Sequence, residues 1–331
     1  MNLRHPHIIH FSRRLLVSVV TGIGLAALGG CATRPRPVAP TIPQTQRLED
    51  GVRLQIFLDA QLFGPGVVEG RPGEFTTKAL ARYNQSRGQP ADARPDLSGM
   101  QPYVTYAVTT ADVEALGTMA VEPADIAAQK RLPYTSLPEL VAERFHTTAG
   151  FLSEINPGQN LGMLEAGSVL IVPNVLSPFR ADKFPSLYPP PAAAAATARR
   201  VVVDLSARML EVYQDTRLLA AFPITPGSSE HPAPVGEWKI VGAVPWPWYR
   251  YDEGVLKRGQ RTDTFFNFAP GVNSPVGILW AGTNRPGVGI HGTPNPDTIG
   301  RAGSHGCIRL ANWDAAAFYT LVGKGTPVSI R

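Results

Sequence analysis

Cysteine and histidine are scarce in this chain of 331 residues, which contains two cysteines and seven histidines. Two cysteines cannot build the disulfide framework of a small secreted protein, so each folded unit needs a core of its own. A disulfide between Cys31 and Cys307 is possible by count, but each cysteine has a better explanation in its own neighbourhood. With 44% hydrophobic and 17% charged residues, the composition is that of a globular protein and excludes a disordered or fibrous one.

Most of the chain carries little net charge, because much of the positive excess lies near the N-terminus. The formal net charge is +5, and Arg4, Arg13 and Arg14 lie in the first thirty residues, which contain no acid. The remainder is close to neutral, so its charge gives no reason to expect a nucleic-acid partner. We predict none.

Residues 1–30 are predicted to be a signal peptide. Two arginines precede an apolar run from Leu15 to Leu28, which is shorter than the roughly 20 residues that span a bilayer. Leu28-Gly29-Gly30-Cys31 resembles the processing box of bacterial lipoproteins. The resemblance implies a lipid on Cys31, a membrane anchor, and a location in the cell envelope on the periplasmic side of the outer membrane. An uncleaved anchor with an incidental cysteine is the alternative.

Two stretches of biased composition divide the remainder. Residues 31–46 contain four prolines, which favour an extended polyproline II spacer. Residues 177–198 include three prolines followed by an alanine run, and this composition predicts a linker that takes no part in a core. Such a linker would let the region after it move relative to the region before it.

Residues 47–98 are predicted to form a small helical module. Two segments with helical periodicity flank a glycine-rich loop. Leu54-Gln55, Leu58-Asp59 and Phe63-Gly64-Pro65-Gly66 resemble the peptidoglycan-binding helical module, although Tyr83-Asn84 replaces its closing Phe-Gln. A plain helical hairpin is the alternative.

Residues 99–176 are predicted to fold as strand, helix, helix and strand. Residues 103–108 alternate as a strand, and helix, helix and strand follow between 137 and 172. Ile155-Asn156-Pro157 and the segment from Leu164 to Pro173 resemble a LysM module. This resemblance implies a βααβ binder of N-acetylglucosamine-containing glycans. Residues 111–133 would be an insertion in that module. A scaffold without sugar binding is the alternative, and His146 is predicted to be a capping or surface residue.

Residues 199–331 are predicted to form a mainly β domain. At least six short runs rich in β-branched residues are separated by turn residues, and one helix is predicted with Asn312 as its N-cap. Many strands with one helix favour a mainly antiparallel sandwich or barrel-like sheet. Four aromatic residues between positions 246 and 251 either cover the end of the sheet or line a cleft.

The reactive residues lie between positions 288 and 310. Cys307 follows His305 by two residues, and His291 lies further upstream. A thiol beside two imidazoles is suited to nucleophilic acyl transfer, because a base can deprotonate the sulfur. Zinc binding by these three side chains is the alternative, but a fourth ligand is available only in another loop, at His231. We therefore predict no metal and no cofactor.

The motif around Cys307 resembles one family closely. Ile290-His-Gly-Thr293 and Ser304-His-Gly-Cys-Ile-Arg-Leu310 are similar to the catalytic domain of the L,D-transpeptidases, and Pro232-Ala-Pro-Val-Gly236 is similar to its Pro-x-Gly turn. The resemblance implies a sandwich of the L,D-transpeptidase type over residues 199–331. It also implies a thioester enzyme that takes an acyl group from a peptidoglycan stem tetrapeptide, releases D-alanine and passes the acyl group to an amine.

The resemblance implies a role for each residue of the motif. Cys307 would be the nucleophile, His291 the general base and later the acid, and His305 a second polar group beside the thiol. The carbonyl of Gly292 would orient the His291 imidazole.

Substrate contacts follow from the same resemblance. Amides near Gly306 and Cys307 would form an oxyanion hole, Arg309 would pair with a substrate carboxylate, and Ser304 would add a hydrogen bond. The two upstream modules would hold glycan strands. The same acyl-enzyme could instead be hydrolysed, which would make an L,D-carboxypeptidase or endopeptidase. A wall-anchoring lipoprotein without catalysis is the third hypothesis.

Overall fold

The structure is a computed structural model that describes residues 44–331 except 228–231 and 302–305. The predicted signal peptide, Cys31 with its predicted lipid and most of the predicted proline-rich spacer lie outside the described residues. From Gln44 onward the described chain forms one compact unit. No helix among the described residues has both the length and the apolar character required to cross a bilayer.

Two helices form the first module, α1 (Gln44–Ala60) and α2 (Glu74–Gln85). The buried side chain of Gln55 accepts hydrogen bonds from the amides of Glu69 and Gly70, at 3.0 and 2.7 Å. Its amide nitrogen donates to the hydroxyl of Thr76, 3.0 Å away. One glutamine on α1 therefore fixes both the glycine-rich loop and the first turn of α2.

The next region contains two paired strands with four helices between them. Strands β1 (Tyr103–Ala107) and β2 (Val169–Pro173) pair in antiparallel fashion, with Tyr103 opposite Pro173. Between them lie α3 (Thr110–Glu114), α4 (Pro123–Ala128), α5 (Leu137–Arg144) and α6 (Ala149–Ile155), followed by a short 3₁₀ turn, Leu161–Met163. Ser136 and Thr148 cap α5 and α6 with their hydroxyl groups. Helices α3 and α4 belong to the predicted insertion.

The predicted linker packs into the core. It contains a 3₁₀ turn, Ala181–Lys183, and a short helix, α7 (Ala193–Thr197). Ala196 is 1% exposed, so the prediction that the proline and alanine run stays outside any core is wrong. Phe179 and Phe184, earlier in the segment, are 2% and 5% exposed. Aromatic residues interspersed among prolines supply the apolar area that holds the segment in place.

The last region contains most of the strands. They are β3 (Arg199–Asp204), β4 (Met209–Gln214), β5 (Arg217–Pro223), β6 (Gly236–Pro245), β7 (Tyr249–Tyr251), β8 (Phe266–Phe268), β9 (Leu279–Thr283), β10 (Gly289–His291), β11 (Ile308–Arg309) and β12 (Pro327–Ile330). The helices are α8 (Glu253–Arg258) and α9 (Asn312–Tyr319), with a 3₁₀ turn at Pro296–Thr298. The prediction of one helix therefore missed α8, a short helix with little apolar periodicity.

Eight strands form one curled sheet in the order β11-β10-β9-β6-β12-β3-β4-β5, while β7 and β8 pair separately. Strand β6 pairs with β12 through its first residues and with β9 from Ile240 onward, with a register shift at that point. Beyond β5, Thr225 exchanges two backbone hydrogen bonds with Arg309 of β11, at 3.0 and 2.9 Å. The curl therefore brings the two ends of the sheet together.

The mainly β domain with a mainly antiparallel, curled sheet agrees with the prediction, but two strand pairs differ from it. The β3–β12 and β10–β11 pairs are parallel, and the remaining pairs of the large sheet are antiparallel. Parallel pairs need distant segments of the chain to meet, which strand periodicity does not reveal.

The N-terminal modules pack directly onto this sheet. Gly64 donates a backbone hydrogen bond to Ala221 at 2.7 Å, and Arg82 on α2 pairs with Glu211 on β4 at 2.6 Å. One hydrophobic core extends from Val52 of α1 to Ile330 of β12. The hypothesis that the linker lets the last region move independently is therefore wrong, because that region shares its core with the modules.

Candidate active site

Two parallel strands place the reactive residues on one face of the sheet. In the pairing of β10 with β11, Ile290 lies opposite Ile308 and His291 opposite Arg309. Ile290 and Ile308 are 1% and 0% exposed and point into the core. Since side chains alternate along a strand, His291, Arg309 and the preceding Cys307 share the other face.

Cys307 is a partly exposed thiol just before β11. Its Sγ lies 3.5 Å from the carbonyl oxygen of Gly287. Burial raises the pKa of the thiol, while a backbone hydrogen bond from Gly289 and the charge of Arg309 lower it in part. The preceding Gly306 has a φ of 93°, at which a side chain would be strained, so glycine suits the sharp turn before Cys307.

His291 has a buried imidazole with a defined tautomer. Its Nδ1 lies 2.7 Å from the carbonyl oxygen of Gly292. Because a carbonyl can only accept, Nδ1 carries the proton and Nε2 keeps its lone pair. Burial lowers the pKa of His291 to about 4, with a further lowering from the charge of Arg309. The imidazole is therefore neutral at pH 7 and able to take a proton.

Two aromatic residues adjoin the reactive pair. The indole of Trp280 on β9 stacks on His291, with 5.5 Å between ring centroids and 20° between planes. Burial raises the pKa of Tyr249, the charge of Cys307 raises it further and that of Arg309 lowers it, which places the phenol near both. Trp280 was missed by the sequence analysis, although it lies opposite His291 in the register.

A cleft of about 800 Å³ borders the reactive face. Its lining includes Gly306, Gly287, Trp280, Trp248, Tyr249 and Arg285. Of the four aromatic residues between positions 246 and 251, Trp248 and Tyr249 line this cleft. Trp246 instead donates to the Phe184 carbonyl at 2.9 Å, and Tyr251 stacks on Phe268. The aromatic cluster therefore serves both of the predicted purposes.

The cleft is positively charged among its described residues. Arg250, Arg261 and Arg285 line it, whereas Asp252 is the one acid in that lining and pairs with Arg250 at 3.1 Å. Arg309 adds its charge close to Cys307. Such a surface favours a ligand with carboxylate groups.

Some predicted site residues cannot be placed. Ser304 and His305 lie outside the described residues, as do His231 and Cys31. Within the described ranges, no group of three or more His, Cys, Asp or Glu side chains is arranged to hold a metal ion.

The sequence comparisons identify the family. Residues 198–330 match a sequence model of the L,D-transpeptidase catalytic domain. YkuD of Bacillus licheniformis, named as an L,D-transpeptidase, is 32% identical over 192 residues, which cover 58% of this chain and 92% of that protein. The chain belongs to the L,D-transpeptidase family. YkuD of Bacillus subtilis is 27% identical over 191 residues and is covered to 91%.

The similarity to YkuD extends beyond the catalytic domain. The alignment with YkuD of Bacillus licheniformis spans 192 residues, which is more than the region 198–330 contains. The alignment therefore includes residues that precede position 198 of this chain. Among solved structures, an L,D-transpeptidase from Mycobacterium smegmatis is 23% identical with a TM-score of 0.33, covering 40% of this chain. This chain spans 58% of that protein's length.

Proposed function

We propose that this protein transfers acyl groups of peptidoglycan stem peptides through a thioester on Cys307. The observation that carries the proposal is the pairing of β10 with β11, which sets Cys307 and a neutral His291 on one face. Acyl transfer through a thioester requires a nucleophile and a base on the same side of the substrate.

In the proposed first step, His291 Nε2 takes the proton of the Cys307 thiol while the sulfur attacks the donor carbonyl carbon. The raised pKa of Cys307 and the lowered pKa of His291 favour a neutral thiol and imidazole before substrate binds. Proton transfer therefore accompanies attack instead of preceding it. Amides near Gly306 and Cys307 stabilise the oxyanion that forms on the carbonyl oxygen.

In the second step, the carbon–nitrogen bond breaks and the imidazolium gives its proton to the departing amine of D-alanine. The acyl group remains on the sulfur as a thioester. An amine acceptor then attacks the same carbon while His291 Nε2 takes its proton. The carbon–sulfur bond breaks, and the imidazolium returns the proton to the Cys307 thiolate. The product is a new peptide bond, either within the cell wall or to an attached protein.

Charge in the cleft supports a donor of this class. Stem peptides carry carboxylates, and the described cleft residues hold more basic than acidic groups. Arg309 and Arg285 are the cations that we assign to those carboxylates. Arginine suits the task because its planar donors match a carboxylate.

Hydrolysis is the second candidate. Cys307 is partly exposed at the edge of an open cleft, so water can reach a thioester formed there. Attack by water would yield an L,D-carboxypeptidase or endopeptidase. The balance depends on how well the acceptor amine competes in the cleft.

The remaining proposals concern place and attachment. Lipidation of Cys31 and an envelope location on the periplasmic side of the outer membrane rest on the processing-box resemblance. Glycan binding by the peptidoglycan-binding-like and LysM-like modules rests on their motifs. For the second module it also rests on the helices α5 and α6, which lie between the paired strands β1 and β2. Because these modules share a core with the catalytic domain, a bound glycan would present its stems to a fixed cleft.

The test is incubation of the full-length chain with purified disaccharide tetrapeptide, followed by mass spectrometry of the products. Cross-linked dimers that are absent with Cys307→Ala support transpeptidation. Monomers that have lost only D-alanine support the hydrolase. If neither product forms with this donor or with an added amine, the proposed activity is wrong.

A further inference from the structure

The modules contact the catalytic domain at the helix that follows the nucleophile. Helix α9 starts at Asn312, and its N-cap is Ala311, so the prediction that Asn312 is the N-cap is wrong. His146, predicted to be a capping or surface residue, is 6% exposed and stacks on Trp313, with 5.1 Å between centroids. Its Nδ1 pairs with Asp59 at 2.9 Å. The first turn of α9 is therefore enclosed by both N-terminal modules.

Glu143 is a buried carboxyl group that forms a hydrogen bond across this contact. It lies on α5, is 6% exposed, and accepts a hydrogen bond from Asn312 Nδ2 at 2.8 Å. The hydroxyl of Tyr134 donates to its other oxygen. Burial raises the pKa of Glu143 to about 7, against the opposing effect of these two donors. An apolar side chain would be buried there without that penalty, so stability alone does not explain a carboxyl group.

Asn312 connects Glu143 to the backbone beside His291. Its side chain is fully buried, and its Oδ1 accepts from the Ile278 amide at 3.3 Å. A Cβ added to Gly292 or to Gly277 would lie 2.2 Å from that same oxygen. The Asn312 amide therefore packs directly against the Gly292 backbone. The carbonyl oxygen of Gly292 in turn accepts the hydrogen bond from His291 Nδ1.

We propose that Glu143 is a positioning residue for His291, acting through Asn312 and the Gly292 carbonyl. The inference rests on the proposed function, because it assumes that His291 is the base. A glutamate of the LysM-like region thereby holds the imidazole of another region in the tautomer with a free Nε2. The catalytic domain would depend on this module for its geometry and not only for attachment to the wall.

The first test compares Glu143→Ala and Glu143→Gln in the full-length protein. Alanine removes the closer of the two acceptors of Asn312 Nδ2 and leaves only the Val272 carbonyl, 3.2 Å away. Glutamine keeps an oxygen for Asn312 and can use its amide toward Tyr134. Misplacing a catalytic group by about 1 Å costs up to roughly a hundredfold in rate. We expect Glu143→Ala to lower kcat about tenfold or more with little change in KM, and Glu143→Gln to stay within about threefold of the parent.

The second readout is the tautomer of His291, measured by long-range ¹H–¹⁵N NMR on histidine-labelled protein. The parent should show the proton on Nδ1, and Glu143→Ala should show a mixture of tautomers. Tyr134→Phe, which removes only the second donor to Glu143, should move both readouts in the same direction by a smaller amount. It keeps the test decisive if the alanine variant does not fold.

Arg82→Gln is the matched control. Arg82 joins the first module to β4 through Glu211, and it is not among the residues that surround Asn312. This variant should lower the melting temperature without changing the tautomer or kcat. If Glu143→Ala and Tyr134→Phe behave in the same way as Arg82→Gln, Glu143 is only structural and the proposal is wrong.

The two proposals can fail separately. If the parent protein does not turn over the tetrapeptide, the proposed function fails, yet the NMR comparison still tests whether Glu143 fixes the imidazole. If the parent is active and the tautomer stays fixed in both variants, only the positioning role fails.

Discussion

The indole of Trp280 lies against the imidazole of His291, with 5.5 Å between ring centroids and 20° between planes. The stack closes one side of a histidine that is 4% exposed. Desolvation is the main cause of its lowered pKa, about 4 in place of 6.5. Trp280 on β9 therefore helps to keep the His291 imidazole unprotonated.

Replacing Trp280 with alanine should raise the pKa of His291 toward 6.5, because water would reach the ring. Protonated His291 cannot act as a base, so the acidic limb of the kcat/KM profile should move to higher pH. A pH–rate profile between 4 and 8 measures the shift. Trp248→Ala is the control, since Trp248 is 65% exposed and does not stack on His291. An unmoved limb in Trp280→Ala would contradict this account.

His291 should also make folding stability depend on pH. Its pKa is about 4 when folded and near 6.5 when unfolded, so the unfolded chain binds the proton more readily between these values. Stability from this group is present above pH 6.5 and is lost as the pH falls toward 4. Between pH 7 and 5 the loss is about 2 kcal/mol.

Urea unfolding of the parent and of His291→Gln at the two pH values isolates this contribution. Glu143, with its pKa raised to about 7, acts in the opposite direction in both proteins and cancels in the comparison. The parent should lose about 2 kcal/mol more than the variant on acidification. Equal losses would show that His291 is not buried in its neutral form.

Gly277→Ala should be strongly destabilising. The residue has a φ of 58°, and an added Cβ would lie 2.2 Å from Asn312 Oδ1 and 2.6 Å from the Gly292 carbonyl carbon. Left-handed strain and overpacking together should cost roughly 3 kcal/mol or more in unfolding free energy. Gly242→Ala on β6, where no atom lies within 4 Å of the added Cβ, should change it by less than about 1 kcal/mol. Similar losses in the two variants would mean that the contact with Asn312 is not tight.

Arg285→Gln should weaken donor binding more than chemistry. Arg285 is an exposed cation of the cleft, so we expect KM for the tetrapeptide to rise about threefold to tenfold with kcat nearly constant. The difference from the parent should shrink at high salt, because exposed charges are screened. Steady-state kinetics at two ionic strengths measures both effects. A fall in kcat at constant KM would assign Arg285 a different role.

The reactive residues and many local elements are predictable from the sequence, because their signals are local. The helix, helix and strand predicted between residues 137 and 172 correspond to α5, α6 and β2. Cys307 and His291 were found from scarce residue types and a specific motif. That the two share one face depends on the β10–β11 register, which alternation alone does not give.

What the sequence did not reveal depends on contacts between distant segments. Thr225 closes the curled sheet on Arg309, and no periodic pattern connects those two positions. Glu143 and Asn312 are separated by 169 residues, and each was assigned to a different module. Ala196 belonged to a low-complexity run, but the core covers it. In each case tertiary packing decided the outcome.

Whether Cys307 carries the acyl group can be measured by mass spectrometry of the protein itself, quenched in acid within seconds of mixing with tetrapeptide donor. We predict a mass increase equal to the donor minus D-alanine, located on Cys307 by peptide mapping and removed by hydroxylamine. An adduct on another residue, or D-alanine release that persists in Cys307→Ala, would show that Cys307 is not the nucleophile.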